Sequence, residues 1–142
     1  MQLRPFLDTD EPAVIALWEA CGLTRPWNDP RQDIARKRGV QREWFLVGTL
    51  GDAVIASIMI GYDGHRGWIN YLAVAPDQRR HGHARTLMRE AERLLTEAGC
   101  PKINLQIRTS NAAVIAFYER IGYAQDDVVS FGRRLIPDEP AA

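Results

Sequence analysis

The stretch Val74–Met88, "VAPDQRRHGHARTLM", sets Arg79, Arg80, His81 and His83 about Gly82, with Arg85 just beyond. An apolar run ending in proline precedes it, and a helix-like pattern follows. A strand running into a helix exposes the helix's first backbone N–H groups, which have no intrahelical acceptor and carry partial positive charge. Such an end can bind a phosphate directly. Gly82 lets the backbone approach a ligand without a Cβ in the way, and Ala84 keeps the next turn slim. Arg79, Arg80, His81 and Arg85 add charge at the rim. The residues therefore describe a candidate pyrophosphate site. The competing reading is an exposed turn whose charges are only solvated. His81 and His83 alone do not complete a metal's ligand set. No Gly-Lys-Ser/Thr follows, and G-x-G-x-x-G is absent, so neither a P-loop nor a dinucleotide fingerprint is present.

Three other places carry reactive or polar groups. "LTRPWNDP" holds Trp27, Asn28 and Asp29 between two prolines. Its residues either shape a ligand pocket, or Trp27 plugs the core while Asn28 and Asp29 cap the next helix. "YDGHRG" holds Asp63 and His65, either near a site or at a solvated hairpin tip. "NAAVIAFYERIGY" holds Tyr118 among Val114, Ile115 and Phe117, so Tyr118 is either a proton donor or a core aromatic. The basic run Arg31, Arg36, Lys37, Arg38 and Arg42 reads as a solvated helix face. It lacks the aromatic interleaving of single-strand nucleic-acid binders.

The elements that must position these groups follow from patterning. "MQLRPF" makes a short strand. "DTDEPAVIALWEACG" makes a helix with Pro12 near its start and Val14, Leu17, Trp18 and Cys21 on one face. A short polar helix runs from near Asp29 to Gly39. "WFLVGTL" and "AVIASIMIGYD" form a hairpin about Gly51–Asp52, and "WINYLAV" is a third strand ended by Pro76. From Ala84, the set Leu87, Met88, Ala91, Leu94, Leu95 and Ala98 follows helical spacing to Gly99. "KINLQIR" is a strand. A helix capped by Ser110 or Asn111 runs to Gly122, and "DDVVSFGRRLI" is a last strand. The order predicts one α/β (α+β) domain spanning residues 1–142.

The chain is 46% hydrophobic and 25% charged with zero formal net charge. That suits an ordinary globular core and supplies no overall field toward nucleic acid or anionic membrane. No apolar run is long enough to span a bilayer, and the first residues lack a signal-peptide apolar core. Cys21 and Cys100 stand alone, as reduced thiols do, so a cytoplasmic location is expected with no metal site.

"YLAVAPDQRRHGHA" resembles the central motif of the GNAT superfamily of N-acetyltransferases: Leu72, Val74 and Pro76, then Arg79, Gly82 and Ala84. "NAAVIAFYERIGY" resembles its later motif through Asn111, Tyr118, Gly122 and Tyr123. "LTRPWNDP", "GYDGHRG" and "GCPKI" are similar to the YpeA-like bacterial branch, so the likeness covers nearly the whole chain. The resemblance implies a mixed, mostly antiparallel sheet with one splayed strand pair and helices on both faces. It implies acetyl-CoA as cosubstrate and no metal. Backbone amides from Arg79 through Arg80, His81, Gly82, His83 and Ala84 to Arg85 would hold its pyrophosphate. Leu72, Ala73 and Val74 would bind its arm like an added strand, and Asn111 would contact it near the splay. An N–H there could polarise the acetyl carbonyl. Tyr118 would be the acid that protonates the leaving thiolate.

The strand glutamate that some members use as base is missing from Trp68–Tyr71. Water, Asp29, Asp63 or His65 is then left for that role. The loop bearing Trp27, Asn28 and Asp29 would shape the acceptor pocket, and Asp29 with Asp63 would favour a cationic amine. The acceptor expected is a small-molecule or peptide amine. A non-catalytic acyl-CoA-binding module is the rival reading. An edge strand such as "DDVVSFGRRL" is where a homodimer would form.

Overall fold

Ten residues, "AVIASIMIGY", make the longest strand, and Ile55 to Ile60 within it are all buried. A strand buried on both faces needs a layer on each side. The computed structural model describes residues 1–138 and provides both layers. The elements are β1 (Gln2–Pro5), α1 (Glu11–Ala20), α2 (Pro30–Lys37), β2 (Phe45–Leu50), β3 (Ala53–Tyr62), β4 (Gly67–Val74), α3 (His83–Glu97), β5 (Ile103–Leu105) and α4 (Ala112–Arg120). The sheet runs β1-β2-β3-β4-β5 in sequence order. All neighbours are antiparallel except β4 and β5, which are parallel.

Two apolar clusters flank the sheet. One holds Ile58, Ile60 and Ile69 against Leu87, Met88, Ala91 and Leu95 of α3, and Tyr118 of α4 joins it. The other holds Val47, Met59 and Ala73 against Val14, Leu17 and Trp18 of α1 and Ile34 of α2. The helical spacing read from the sequence is the spacing that fills these layers. Helix α2 starts as expected, with Pro30 at its first position and the Asp29 carboxylate accepting from the Arg31 N–H at 2.9 Å.

Strand β4 is irregular where it matters. Opposite Ser57–Met59 of β3 it runs from Ala73 to Asn70, one residue more than its partner. Tyr71 absorbs the excess at φ +52°. This β-bulge re-aims a side chain: Tyr71 stacks on Trp18 with ring centroids 3.8 Å apart. A buried chain of hydrogen bonds holds it. Trp18 Nε1 donates to Ser57 Oγ at 2.9 Å, and Ser57 Oγ donates to the Tyr71 carbonyl at 2.8 Å.

β4 and β5 pair only over Gly67–Ile69 and Ile103–Leu105. Beyond Ile69 the outer edge of β4 has no strand partner among the described residues. The expected last strand, "DDVVSFGRRLI", does not form: residues 126–136 are irregular. Their side chains track β5, through Lys102–Asp126 at 2.9 Å and Gln106–Ser130 at 2.5 Å. No backbone ladder accompanies them. Val128 and Val129 are 76% and 81% exposed. Without a covering layer the segment gains too little burial to order as a strand. Strand β5 is also shorter than "KINLQIR" suggested.

Ser57→Ala removes both ends of the buried chain. It should destabilise the protein by about 1–3 kcal/mol, read as a lower urea midpoint at unchanged slope. An unchanged midpoint would show that the chain contributes nothing.

Candidate functional site

The turn after β4 leads to α3 with two left-handed residues, Arg80 at φ +66° and Gly82 at φ +77°. A Cβ on Gly82 would meet nothing within 4 Å. Its backbone angle, rather than lack of space, is what asks for glycine. Gly82 is the N-cap of α3 and no side chain caps the helix. The first helical bond runs from the Thr86 N–H to the Gly82 carbonyl at 3.0 Å. The N–H groups of His83, Ala84 and Arg85 therefore lie ahead of the helical ladder. Arg79, Arg80, His81 and Arg85 are exposed around them. Among the described residues none of these arginines pairs with a carboxylate. The His83 imidazole differs: its Nε2 is buried without a partner, and burial lowers its pKa.

The unpaired edge of β4 runs straight into this turn. Leu72 and Val74 pack on the α3 face, and Ala73 is buried on the other. Tyr118 is 6% exposed and belongs to the same cluster as Leu72 and Val74. Phe117 and Tyr123 meet its ring edge-on at 5.1 and 5.6 Å. Burial pushes the Tyr118 phenol above its ordinary value. It stays protonated at neutral pH and is available as a donor. Asn111 caps α4, accepting from the Val114 N–H at 3.4 Å.

On the opposite face, a cleft of about 390 Å3 opens beside the bulge. Its walls include Asp33 and Lys37 of α2, and Asn70 and Tyr71 of β4; Met59 and Gly61 are on its β3 side. Asp33 Oδ2 accepts from Tyr71 Oη at 2.5 Å and from Asn28 Nδ2 at 2.5 Å. Burial, then the Asp33 carboxylate, raise the Tyr71 phenol, so it too stays protonated. Arg36 donates to Asp33 Oδ1 at 3.1 Å and also pairs with Asp138. The C-terminal segment closes over this side. Asp138 accepts from the Asp29 N–H at 3.0 Å, and Arg134 donates to Asn28 Oδ1 at 3.2 Å. Trp27 is half exposed in a shallow depression with Arg36 and residues 132–136.

Asn28 thus lies in the cleft's hydrogen-bond network, with Trp27 and Asp29 at its margin. Asp63 and His65 do not. They sit in the β3–β4 turn, at the other end of β4. At ~3.3 Å per residue the strand from Gly67 to Leu72 alone spans roughly 16 Å. The Asp63 carboxylate is occupied by the His65 and Arg66 N–H groups and by Trp68 Nε1. Those bonds depress its pKa, the Arg66 N–H foremost. Asp29 and Asp63 are accordingly not a joint amine-binding pair. In the charge run read as a solvated helix face, Lys37 is the departure, being half-buried in the cleft wall; Arg36 lines the cleft too but remains exposed. Sequence reasoning passed over Asp33 and Tyr71. The one available signal was "INYLA", where Asn70 and Tyr71 interrupt the alternation. Among the described residues no helix is long and apolar enough to cross a membrane, and no cluster could hold a metal ion.

The model of the acetyltransferase (GNAT) family matches residues 8–123. An acetyltransferase of Yersinia enterocolitica is 47% identical over 139 residues, covering 98% of this chain and 99% of that protein. Two solved structures share the fold, each with a TM-score of 0.70. The ribosomal-protein-S18-alanine N-acetyltransferase of Escherichia coli is 24% identical over 85% of this chain and 76% of that one. An aminoglycoside 6'-N-acetyltransferase of Acinetobacter haemolyticus is 18% identical over 96% and 100%. The splayed strand pair, the uncapped helix after it and these matches lead to one conclusion: the chain belongs to the GNAT family of acetyltransferases.

Proposed function

We propose that the protein moves the acetyl group of acetyl-CoA to a primary amine by direct attack. The observation that carries this is the free edge of β4 beyond Ile69, which runs into the uncapped N-terminus of α3. An extended amide-bearing arm can pair with that edge as a strand would. A pyrophosphate at its end would meet the N–H groups of His83 to Arg85, with Arg79, Arg80 and His81 at the rim.

The amine nitrogen attacks the thioester carbonyl, the C–N bond forms and the C–S bond breaks. The nitrogen loses a proton to water, and the sulfur leaves as a thiolate that Tyr118 hydrogen-bonds and that solvent protonates after release. A backbone N–H on the free edge of β4 stabilises the oxyanion, as a fixed donor aimed at developing charge does. Tyr118 donates to the sulfur. Its raised pKa lies further above that of a thiol, ordinarily about 8.5, so the hydrogen bond to the thiolate matters more than complete proton transfer. The amine enters from the cleft side, past Trp27, Asn28 and Tyr71. No carboxylate on β4 serves as base, so water takes the amine proton.

Gly82→Asp places a carboxylate and a strained left-handed residue at the proposed pyrophosphate site. Calorimetry with acetyl-CoA, and ADP as the control ligand, should show at least tenfold weaker binding in the folded variant. Equal affinity would overturn the assignment of this turn. Tyr118→Phe keeps the ring packing and should lower kcat by about 10²-fold, with little change in acetyl-CoA affinity. In the wild type, kcat should not fall as pH rises through about 10, the ordinary phenol value, because burial keeps Tyr118 protonated above it. A basic limb in the wild type that is missing in Tyr118→Phe would mean that the phenol ionises within that range.

A further inference from the structure

Lys37 is a cation in an unusual place. Beyond Met59, strand β3 has outrun β2, whose pairing begins at Phe45. Side chains satisfy the bared edge instead. Gln41 donates to the Tyr62 carbonyl and accepts from its N–H, both at 2.9 Å. Lys37 Nζ donates to the Ile60 carbonyl at 2.5 Å. That bond fixes Nζ over Gly61, where a Cβ would come within 3.9 Å of it. The missing side chain at position 61 leaves open the part of the cleft next to the ammonium.

Two cations, Arg36 and Lys37, and one carboxylate, Asp33, line the cleft itself. Asp33 is shared among Arg36, Asn28 and Tyr71, and Arg36 is held by Asp138 as well. Lys37, half-buried, pairs with no carboxylate among the described residues. Among the described residues its one hydrogen bond is to a neutral carbonyl. The Glu43 carboxylate acts on Lys37 without forming an ion pair. A partly desolvated cation without a directly paired counter-charge is costly, and an anion entering the cleft would supply one. Tyr71 and Asn70 border the same space on β4, immediately before the free edge from Leu72 to Val74. An acceptor in the cleft would therefore have Lys37 on its α2 side and the reacting strand on the other.

We infer that Lys37 is a specificity-determining residue: the acceptor carries an anionic group, carboxylate or phosphate, near its amine, and Lys37 binds it. This inference rests on the acetyl-transfer reading and names the acceptor class for that site. Asn28, Asp33 and Tyr71 wall the amine's approach. Lys37 also ties α2 to β3, and a purely structural strut would not discriminate between acceptors.

The test compares glycine, β-alanine and O-phosphoethanolamine with the uncharged-tail amines glycinamide, β-alaninamide and ethanolamine, in wild type, Lys37→Gln and Lys37→Arg. Glutamine can still donate to the Ile60 carbonyl, so the charge is removed and the strut is kept. The wild type should favour at least one anionic amine over its neutral counterpart by tenfold or more in kcat/KM. Lys37→Gln should abolish that ratio through the acceptor KM, and Lys37→Arg should retain part of it. The carboxylate and phosphate arms tell the two anions apart. Calorimetry with N-acetylglycine and N-acetylglycinamide, and with N-acetyl-O-phosphoethanolamine and N-acetylethanolamine, needs no turnover and should give the same order. No anionic preference in either readout, or a preference that survives Lys37→Gln, would overturn the inference. Failure to bind acetyl-CoA would overturn the underlying reading instead, and it is measured separately.

Discussion

The bulge at Tyr71 is the constraint on which the two working faces depend. A non-glycine residue at φ +52° costs on the order of 1–3 kcal/mol, and the surroundings must over-determine it. Trp18 does so twice, by stacking on the Tyr71 ring and by donating to Ser57, which in turn donates to the Tyr71 carbonyl. Because of the extra residue, Asn70 and Tyr71 both line the cleft on the α2 side. Leu72 and Val74 then return to the α3 side. One added residue in β4 thus separates the cleft on one side of the strand from the free edge and uncapped turn on the other.

The two sides use opposite electrostatic strategies. At the α3 end the positive potential is open: exposed arginines surround backbone N–H groups that the helix cannot use itself. Such a surface suits a highly charged, mobile ligand, because solvated charge steers it without desolvation cost. In the cleft the charges are packed together and largely paired, as in the run Asp138, Arg36, Asp33, Tyr71 and Asn28. Paired groups in partial burial hold their geometry, which suits selection among acceptors. The C-terminal segment takes part here and not in the sheet. Asp138 is 1% exposed at its side chain, whereas Phe131 a few residues earlier is 93% exposed.

The order of elements was readable because helix and strand periods differ and glycines or prolines mark most boundaries. Helix α3 and strands β2 to β4 lie close to where the spacing puts them. The last strand was misread because alternation and β-branched residues describe a strand's preference and not its partner; Val128 and Val129 have no layer to cover them. The strand, turn and helix start from Leu72 to Arg85 were legible because they are one run of chain. The cleft was not, because Asn28, Asp33, Lys37 and Tyr71 meet only after α2 is laid against the sheet.

By itself, then, the sequence determined the strand–turn–helix that holds the charged rim, the position of Tyr118 on its helix, and the family resemblance that joins them. Local backbone geometry decides those features, and local sequence encodes local geometry. Only the tertiary structure decided that β4 parts from β5 after Ile69, that Asp63 and His65 lie at the far end of the strand, and that Lys37 is tucked over Gly61 instead of being solvated. Each of these depends on which strand ends first or which edge is left bare. Such facts arise from the register between distant segments, and no single stretch of chain contains them.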